Sequence, residues 1–119
     1  MTKTKTQPQN VLEKIPAHAV DFDHKNGAIH ILIPKIKLEI FKFLQQRLKH
    51  PYTVVQLDEY GTRVWNLIDD RKTVFDIANT LRQEFGDKIE PVYERLGLFI
   101  NMLAQRRFIT LRDVDVANP

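Results

Sequence analysis

An asparagine–glycine pair restricts the fold of this chain more than any other short feature. The stretch HAVDFDHKNGAIHILIP places Asn26 and Gly27 between two runs of alternating apolar and polar residues. A two-residue type I′ turn needs positive φ at both central positions, and these two residue types adopt it most readily. That turn pairs Phe22 with Ile31, and a slip of one residue would mix the two faces. The sequence therefore predicts a β-hairpin of defined register. Its apolar face consists of Val20, Phe22, Ile29, Ile31 and Ile33.

Two helices with recognisable caps are predicted between Asp58 and Gly86. Asp58 precedes the first apolar stripe, and aspartate is a favoured N-cap residue. Thr73 and Asp76 have the spacing of a capping box at the start of the second helix. Gly86 suits the C′ position, because glycine adopts positive φ without steric cost. The sequence thus predicts a helix pair with a short break between its members.

The remaining segments define the predicted domain organisation. Residues 1–12 have too little apolar surface to fold and are predicted to be a disordered tail, and residues 113–119 are predicted to fray. Tyr52–Leu57, with the sequence YTVVQL, is rich in β-branched residues and is predicted to be a third strand. Lys35–Pro51 is a basic amphipathic insert. We expect residues 13–112 to form a single α+β domain that is winged-helix-like, with an N-terminal β-hairpin plus a third strand followed by a three-helix bundle.

A third helix, which opens near Pro91, is apolar over more than half of its circumference. A helix that packs on one side of a core needs an apolar stripe of only about 100° or a little more. The excess has two explanations: the helix is central in the core, or one flank is an open groove wall. Leu98 and Met102 lie on one flank. The other flank carries Tyr93, Gly97, Ile100 and Ala104, and we favour it as the groove wall, because Gly97 and Ala104 admit a close backbone.

The chain lacks the side chains from which most active sites and metal centres are built. It contains no cysteine and no serine. Its four histidines have no third ligand at a suitable spacing for zinc. Asp69 and Asp70 are adjacent carboxylates at a helix end, where such residues favour turns and point apart. We therefore expect no catalytic residue, no metal site and no cofactor.

Charge and apolar patterning leave several partners open. The net charge of +3 and the pI of about 9.3 permit an acidic partner without requiring one. The N-terminal sequence MTKTKTQPQN has no apolar run of the kind found in signal peptides, and no stretch is apolar enough to span a bilayer, so we expect a cytoplasmic protein. The basic insert suits a membrane surface, packing on the domain, or a homodimer contact. A winged-helix DNA-binding protein is a further alternative, but the third helix lacks base-reading side chains on its outer flank.

Two segments of this chain resemble the PqqD family. They are LDEYGTRVWNLIDDRKTVFDIANTLRQEFG and VYERLGLFINMLAQRRFI. The family has a glycine after the aspartate that ends the first helix, and this chain has Asp70 there. The long insert Lys35–Pro51 is a second departure. The matching positions are Leu57, Gly61, Val64, Trp65, Leu67, Ile68, Asp69, Thr73, Val74, Ile77, Ala78, Leu81, Leu103, Phe108 and Ile109.

The resemblance implies a non-catalytic peptide chaperone. Proteins similar to this one bind the leader part of a ribosomally made precursor peptide and present it to a modifying enzyme, often of the radical SAM type. The leader is expected to add as a strand to the third strand and to contact the third helix. Arg106 or Arg107 is expected to pair with an acidic leader residue. The candidate peptide-binding residues are Thr53, Val54, Val55, Gln56, Leu57, Tyr93, Gly97, Ile100, Ala104, Arg106 and Arg107.

Overall fold

The structure is a computed structural model that describes residues 11–34 and 52–114. The described residues form two compact units. The first contains the described parts of Met1–Ala19 and Arg63–Pro119, and the second contains the described part of Val20–Thr62. The insert, residues 35–51, lies outside the described residues, as do residues 1–10 and 115–119.

The second unit is built on a three-stranded antiparallel sheet. Its strands are β2 (Asp21–Lys25), β3 (Ala28–Pro34) and β4 (Tyr52–Gln56), in the order β2-β3-β4. Phe22 lies opposite Ile31, as the turn predicted. Asn26 and Gly27 have φ values of 54° and 77°, the positive values that a type I′ turn requires. The predicted hairpin and its register are therefore confirmed.

A buried threonine joins this sheet to the segment that follows it. The backbone N–H of Ile29 donates to Thr62 Oγ1 over 3.1 Å, and the Thr62 hydroxyl donates to the carbonyl of Leu57 over 3.3 Å. The N–H of Leu57 in turn donates to the carbonyl of Ile29. Buried polar groups are costly unless they are hydrogen-bonded, and this hydroxyl acts as both donor and acceptor. These bonds fix the end of β4 next to the start of β3.

The first unit contains a short two-stranded sheet and most of the helical structure. β1 (Ile15–His18) pairs antiparallel with β5 (Ile109–Arg112). The helices are α1 (Glu59–Leu67), α2 (Val74–Phe85), a 3-10 turn (Gly86–Ile89) and α3 (Val92–Gln105). The predicted α+β class, with a hairpin and further strands followed by three helices, is confirmed.

β1 was not predicted, and the N-terminal boundary was placed too late. Val11 is completely buried, and the N–H of Phe75 donates to the carbonyl of Leu12. Both residues had been assigned to the disordered tail. β1 itself contains Pro16 and is only four residues long, so it lacks the alternation that identifies a strand.

The helix caps follow the sequence. Asp58 Oδ1 accepts from the N–H of Gly61 over 2.8 Å. Thr73 and Asp76 each accept from the other's backbone N–H over 3.1 Å, which completes the predicted capping box. Gly86 closes α2 with a φ of 63°. These bonds satisfy N–H groups that have no partner inside the helix.

Trp65 lies at the centre of the core of the first unit. It has no solvent exposure, as its position on the α1 stripe predicted. The imidazole of His18 stacks on the indole with ring centroids 4.2 Å apart, and His18 Nε2 lies 2.9 Å from the Trp65 carbonyl oxygen. Burial lowers the pKa of His18, so the neutral ring is favoured in the folded state.

Candidate functional site

Among the described residues, the outer edge of β4 is an exposed part of the predicted site. β4 pairs with β3 on one side, and no other strand in residues 11–34 and 52–114 pairs with its opposite side. Thr53, Val54 and Gln56 are exposed, and Val55 is half-buried. Such an edge carries backbone donors and acceptors at regular spacing and can pair with another chain.

The two edges of this sheet differ in charge. β2, the other edge strand, carries Asp21, Asp23 and Lys25, all exposed. β4 has the sequence YTVVQ and carries no charge. Charged side chains on an edge strand oppose pairing with a further strand, and uncharged β-branched side chains favour it. Of the two edges, β4 is therefore the one suited to accept an extended peptide.

Apolar side chains accompany the β4 edge on one face of the sheet. Tyr52 and Val54 are 39% and 52% exposed and share a face, because side chains alternate along a strand. Leu32 lies directly opposite Val54 on β3 and is half-buried. Every second side chain of an added strand would lie on this face, and one of them would lie next to Val54. Cross-strand apolar pairs of this kind stabilise a sheet.

Leu57 does not share this exposure. Its side chain is only 7% exposed, and its N–H is engaged with the carbonyl of Ile29 inside the sheet. The place of Leu57 in the peptide-binding strand stays a prediction, but its side chain is not available to a peptide. It belongs to the core.

On α3 the favoured flank turns inward. Ile100 has no solvent exposure, and Gly97 is buried. Tyr93 and Ala104 are half-buried. A fully buried side chain cannot anchor a peptide at the surface. The structure therefore corrects the predicted role of Ile100 as an apolar anchor. The exposed apolar residues of α3 are on the other flank.

Tyr93 is held in a cluster of side chains on α2 and α3. Arg82 Cζ lies 4.8 Å from the Tyr93 ring centroid, and its Nη1 donates to the Tyr93 hydroxyl over 3.3 Å. Phe75 stacks on the Tyr93 ring with ring centroids 5.7 Å apart. Arg82 Nε forms an ion pair with Glu90 Oε2 over 2.8 Å. Phe75 is 45% exposed and also lines an open pocket of about 620 Å³. Sequence reasoning missed Phe75, because its place in the first turn of α2 lies outside the helix's buried stripe.

Arg106 and Arg107 follow the last turn of α3, and both are exposed. In the described part of the chain, neither side chain makes a hydrogen bond or an ion pair that would occupy its charge. Cations at a helix C-terminus are favourable in themselves. Their planar groups are also suited to receive a carboxylate. Pairing of Arg106 or Arg107 with an acidic residue of a peptide therefore stays a prediction.

Asp69 has a structural role. Its Oδ1 accepts from the N–H groups of Arg71 and Lys72 over 2.9 Å, and its Oδ2 accepts from Lys72 Nζ over 2.8 Å. These bonds lower the pKa of Asp69 from 3.8 to about 2, and the bond from the Lys72 side chain has the largest effect. A carboxylate so stabilised as an anion is poorly suited to exchange protons near neutral pH. Asp69 therefore fixes the turn between α1 and α2.

The described residues offer little for metal chemistry or membrane insertion. No three histidine, aspartate or glutamate side chains among them are placed to hold an ion together. None of the helices in residues 11–34 and 52–114 combines the length and apolar character that a bilayer span requires. What these residues offer is backbone pairing, apolar contact and exposed cations such as Arg106 and Arg107.

Comparison with known proteins gives one finding. The sequence model of the family described as coenzyme PQQ synthesis protein D (PqqD) matches residues 47–109, just over half of the 119-residue chain. The matched region begins before β4 and ends at the first residue of β5. No curated protein and no solved structure matches the chain.

Proposed function

The chain belongs to the PqqD family, and from that premise we propose that it is a non-catalytic accessory protein that binds the leader of a ribosomally made precursor peptide. It presents the bound peptide to a modifying enzyme of the radical SAM type, in the biosynthesis of a cofactor or a related natural product. The protein needs no cofactor of its own for this task and acts in the cytoplasm.

The observation that carries this proposal is the accessible, uncharged edge of β4. Strand addition to this edge forms main-chain hydrogen bonds whatever the peptide sequence. The charged β2 edge of the same sheet disfavours the same reaction. Peptide binding by strand addition therefore has one preferred edge of the three-stranded sheet, and it does not need a preformed deep cavity.

Selectivity comes from side chains beside the edge. Alternate residues of an added strand lie next to Val54 and Tyr52, so we expect apolar or β-branched leader residues at every second position. On and after α3, which belongs to the first unit, the exposed Arg106 and Arg107 and the half-buried Tyr93 and Ala104 stay predicted peptide contacts. Ile100 and Gly97 are buried.

The test is amide chemical-shift mapping with a leader peptide, taken from a short precursor gene near the gene of this protein where there is one. Shifts that cluster on Thr53–Gln56 and saturate with peptide support strand addition. Val54→Asp is expected to weaken binding by up to about fivefold, which corresponds to the upper end of one cross-strand pair. Val54→Thr keeps a β-branched residue and is the matched control, and Asp23→Asn tests the other edge. Saturable binding whose shifts fall only on α1 and α2 would exclude the proposal.

Salt dependence separates this function from nucleic-acid binding. Binding to duplex DNA weakens steeply with salt, because it releases counterions. Strand addition with apolar contacts is expected to weaken much less. A salt-resistant preference for one duplex sequence would favour the DNA-binding alternative instead.

A further inference from the structure

One line of side chains along α3 and its C-cap lies outside the buried core, and of its four residues only Arg106 is also a predicted peptide contact. Glu94, Leu98, Met102 and Arg106 follow each other at intervals of four residues, and all four are exposed. Leu98 is 65% and Met102 36% exposed, which is unusual for large apolar side chains on a central helix. Residues four apart form a ridge on the surface of a helix. We call these four residues the α3 ridge.

The α3 ridge is complementary to a second α3 ridge that runs in the opposite direction. It runs from an acid through two apolar residues to a cation. In the described part of the chain, neither Glu94 nor Arg106 takes part in an ion pair. If a second ridge is laid against the first in the opposite direction, Glu94 meets Arg106 at both ends, and Leu98 meets Met102 at both central positions.

We propose that a second copy of this chain docks on the α3 ridge, with the two ridges antiparallel about a twofold axis midway between Leu98 and Met102. When the i±4n ridges of two helices pack together, the helices cross at about 50° and the ridges run alongside each other, so residues at equal distances from the axis lie next to each other. An interface of this kind is isologous, since the same patch serves both copies.

The strength of this contact follows from its composition. It contains four partly exposed apolar side chains and two exposed ion pairs, and each such pair contributes little by itself. So few side chains are expected to bury less than the roughly 1,200 Å² at the low end of stable interfaces. The dimer is therefore weak, depends on protein concentration, and loses stability as salt screens the charges.

Charge reversal tests the pairing directly, and the protein itself is the probe. Sedimentation velocity from the micromolar to the millimolar range is expected to show concentration-dependent dimers of the wild type. Glu94→Arg alone puts arginine opposite Arg106, and Arg106→Glu alone puts glutamate opposite Glu94. Each single variant is expected to weaken dimerisation by about tenfold or more, because like charges then face each other twice.

The decisive step is recombination. An equimolar mixture of the two single variants restores both opposite-charge contacts and is expected to form a heterodimer. The double variant Glu94→Arg/Arg106→Glu is expected to form a homodimer again. Leu98→Gln weakens all of these dimers and is a variant without charge reversal. Thermal unfolding of each variant shows that it is folded.

Several outcomes overturn the proposal. A wild type that stays monomeric throughout the concentration range excludes it, as do single variants that dimerise like the wild type. Failure of the mixture and of the double variant to recover dimers excludes this register. Failure here leaves peptide binding at β4 unaffected, because that test relies on Val54 and not on the α3 ridge.

Discussion

Adjacent arginines at the end of α3 allow a measurement of backbone strain with charge held constant. The N–H of Phe108 donates to the carbonyl of Leu103 over 2.9 Å, and the N–H of Arg107 donates to that of Ala104 over 3.0 Å. These two bonds are those of a Schellman motif, with Arg107 at C′. Arg107 has a φ of 66°, whereas Arg106 has a helical φ of −84°. We therefore compare Arg107→Gly with Arg106→Gly.

The expected difference follows from three terms. Each variant loses a cation at a helix C-terminus, which contributes about 0.3–1 kcal/mol to stability. Each also gains the conformational freedom of glycine in the unfolded chain, which costs about 0.4–1 kcal/mol. Only Arg107→Gly relieves the left-handed conformation, which costs a non-glycine residue about 1–2 kcal/mol. Arg106→Gly should therefore destabilise by about 1–2 kcal/mol, and Arg107→Gly should change stability by close to zero.

Urea unfolding followed by Trp65 fluorescence measures both variants under the same conditions. The protein concentration is kept in the low micromolar range, where self-association is negligible. The slope of the free energy with urea should not change, because both variants expose the same surface on unfolding. Equal destabilisation by the two substitutions would show that Arg107 carries no strain and would refute this reasoning. Arg107→Lys keeps both charge and strain, and is expected to match the wild type.

Three further predictions concern the core and the turn. Trp65→Ala should cost about 3–5 kcal/mol in urea unfolding followed by circular dichroism, and wild-type emission like that of a solvated indole would contradict the burial of Trp65. The folded pKa of His18 lies below its usual 6.5, so the stability it contributes is present above that value and is lost as pH falls below it; His18→Phe should flatten this dependence, and an unchanged pH profile would argue against it. The Asp69 pKa of about 2 gives stability above about pH 4 that is lost as pH falls towards 2. Asp69→Asn, at a site 39% exposed, should cost about 1 kcal/mol or less at neutral pH and clearly less at pH 2, where about half of the carboxyl groups are protonated, and an equal cost at both would contradict the assignment.

The elements that sequence analysis predicted correctly are those with local chemistry. The Asn26-Gly27 turn fixes the hairpin register through its own dihedral preferences. The capping box of Thr73 and Asp76 likewise depends on residues three apart. β1 could not be predicted in this way. It is defined by pairing of Ile15–His18 with β5, almost a whole chain length away.

Asp70 departs from the family pattern but keeps the backbone geometry that glycine would have at this turn. The family pattern has glycine here, and Asp70 adopts a φ of 64°, which glycine accepts most easily. Aspartate tolerates this region better than most residues. Its N–H also donates to the Pro16 carbonyl, and Arg112 donates to both its side-chain and main-chain oxygens, at 3.1 and 2.8 Å. These contacts with β1 and β5 hold the turn in place, so the substitution preserves the local structure.

The orientation of α3 was the principal error, and the sequence contained a signal against it. Both flanks are apolar, so hydrophobic periodicity alone does not distinguish them. The flank of Leu98 and Met102, however, is bordered by charged and polar side chains, including Glu94 and Arg106. Burying that arc would remove charges from water without partners, which is far more costly than exposing two apolar side chains. The flank of Ile100 continues into the arc of Leu96 and Leu103 and carries no charge. Charge next to an apolar stripe therefore decides which side of a helix stays in solvent, and here it leaves the α3 ridge at the surface.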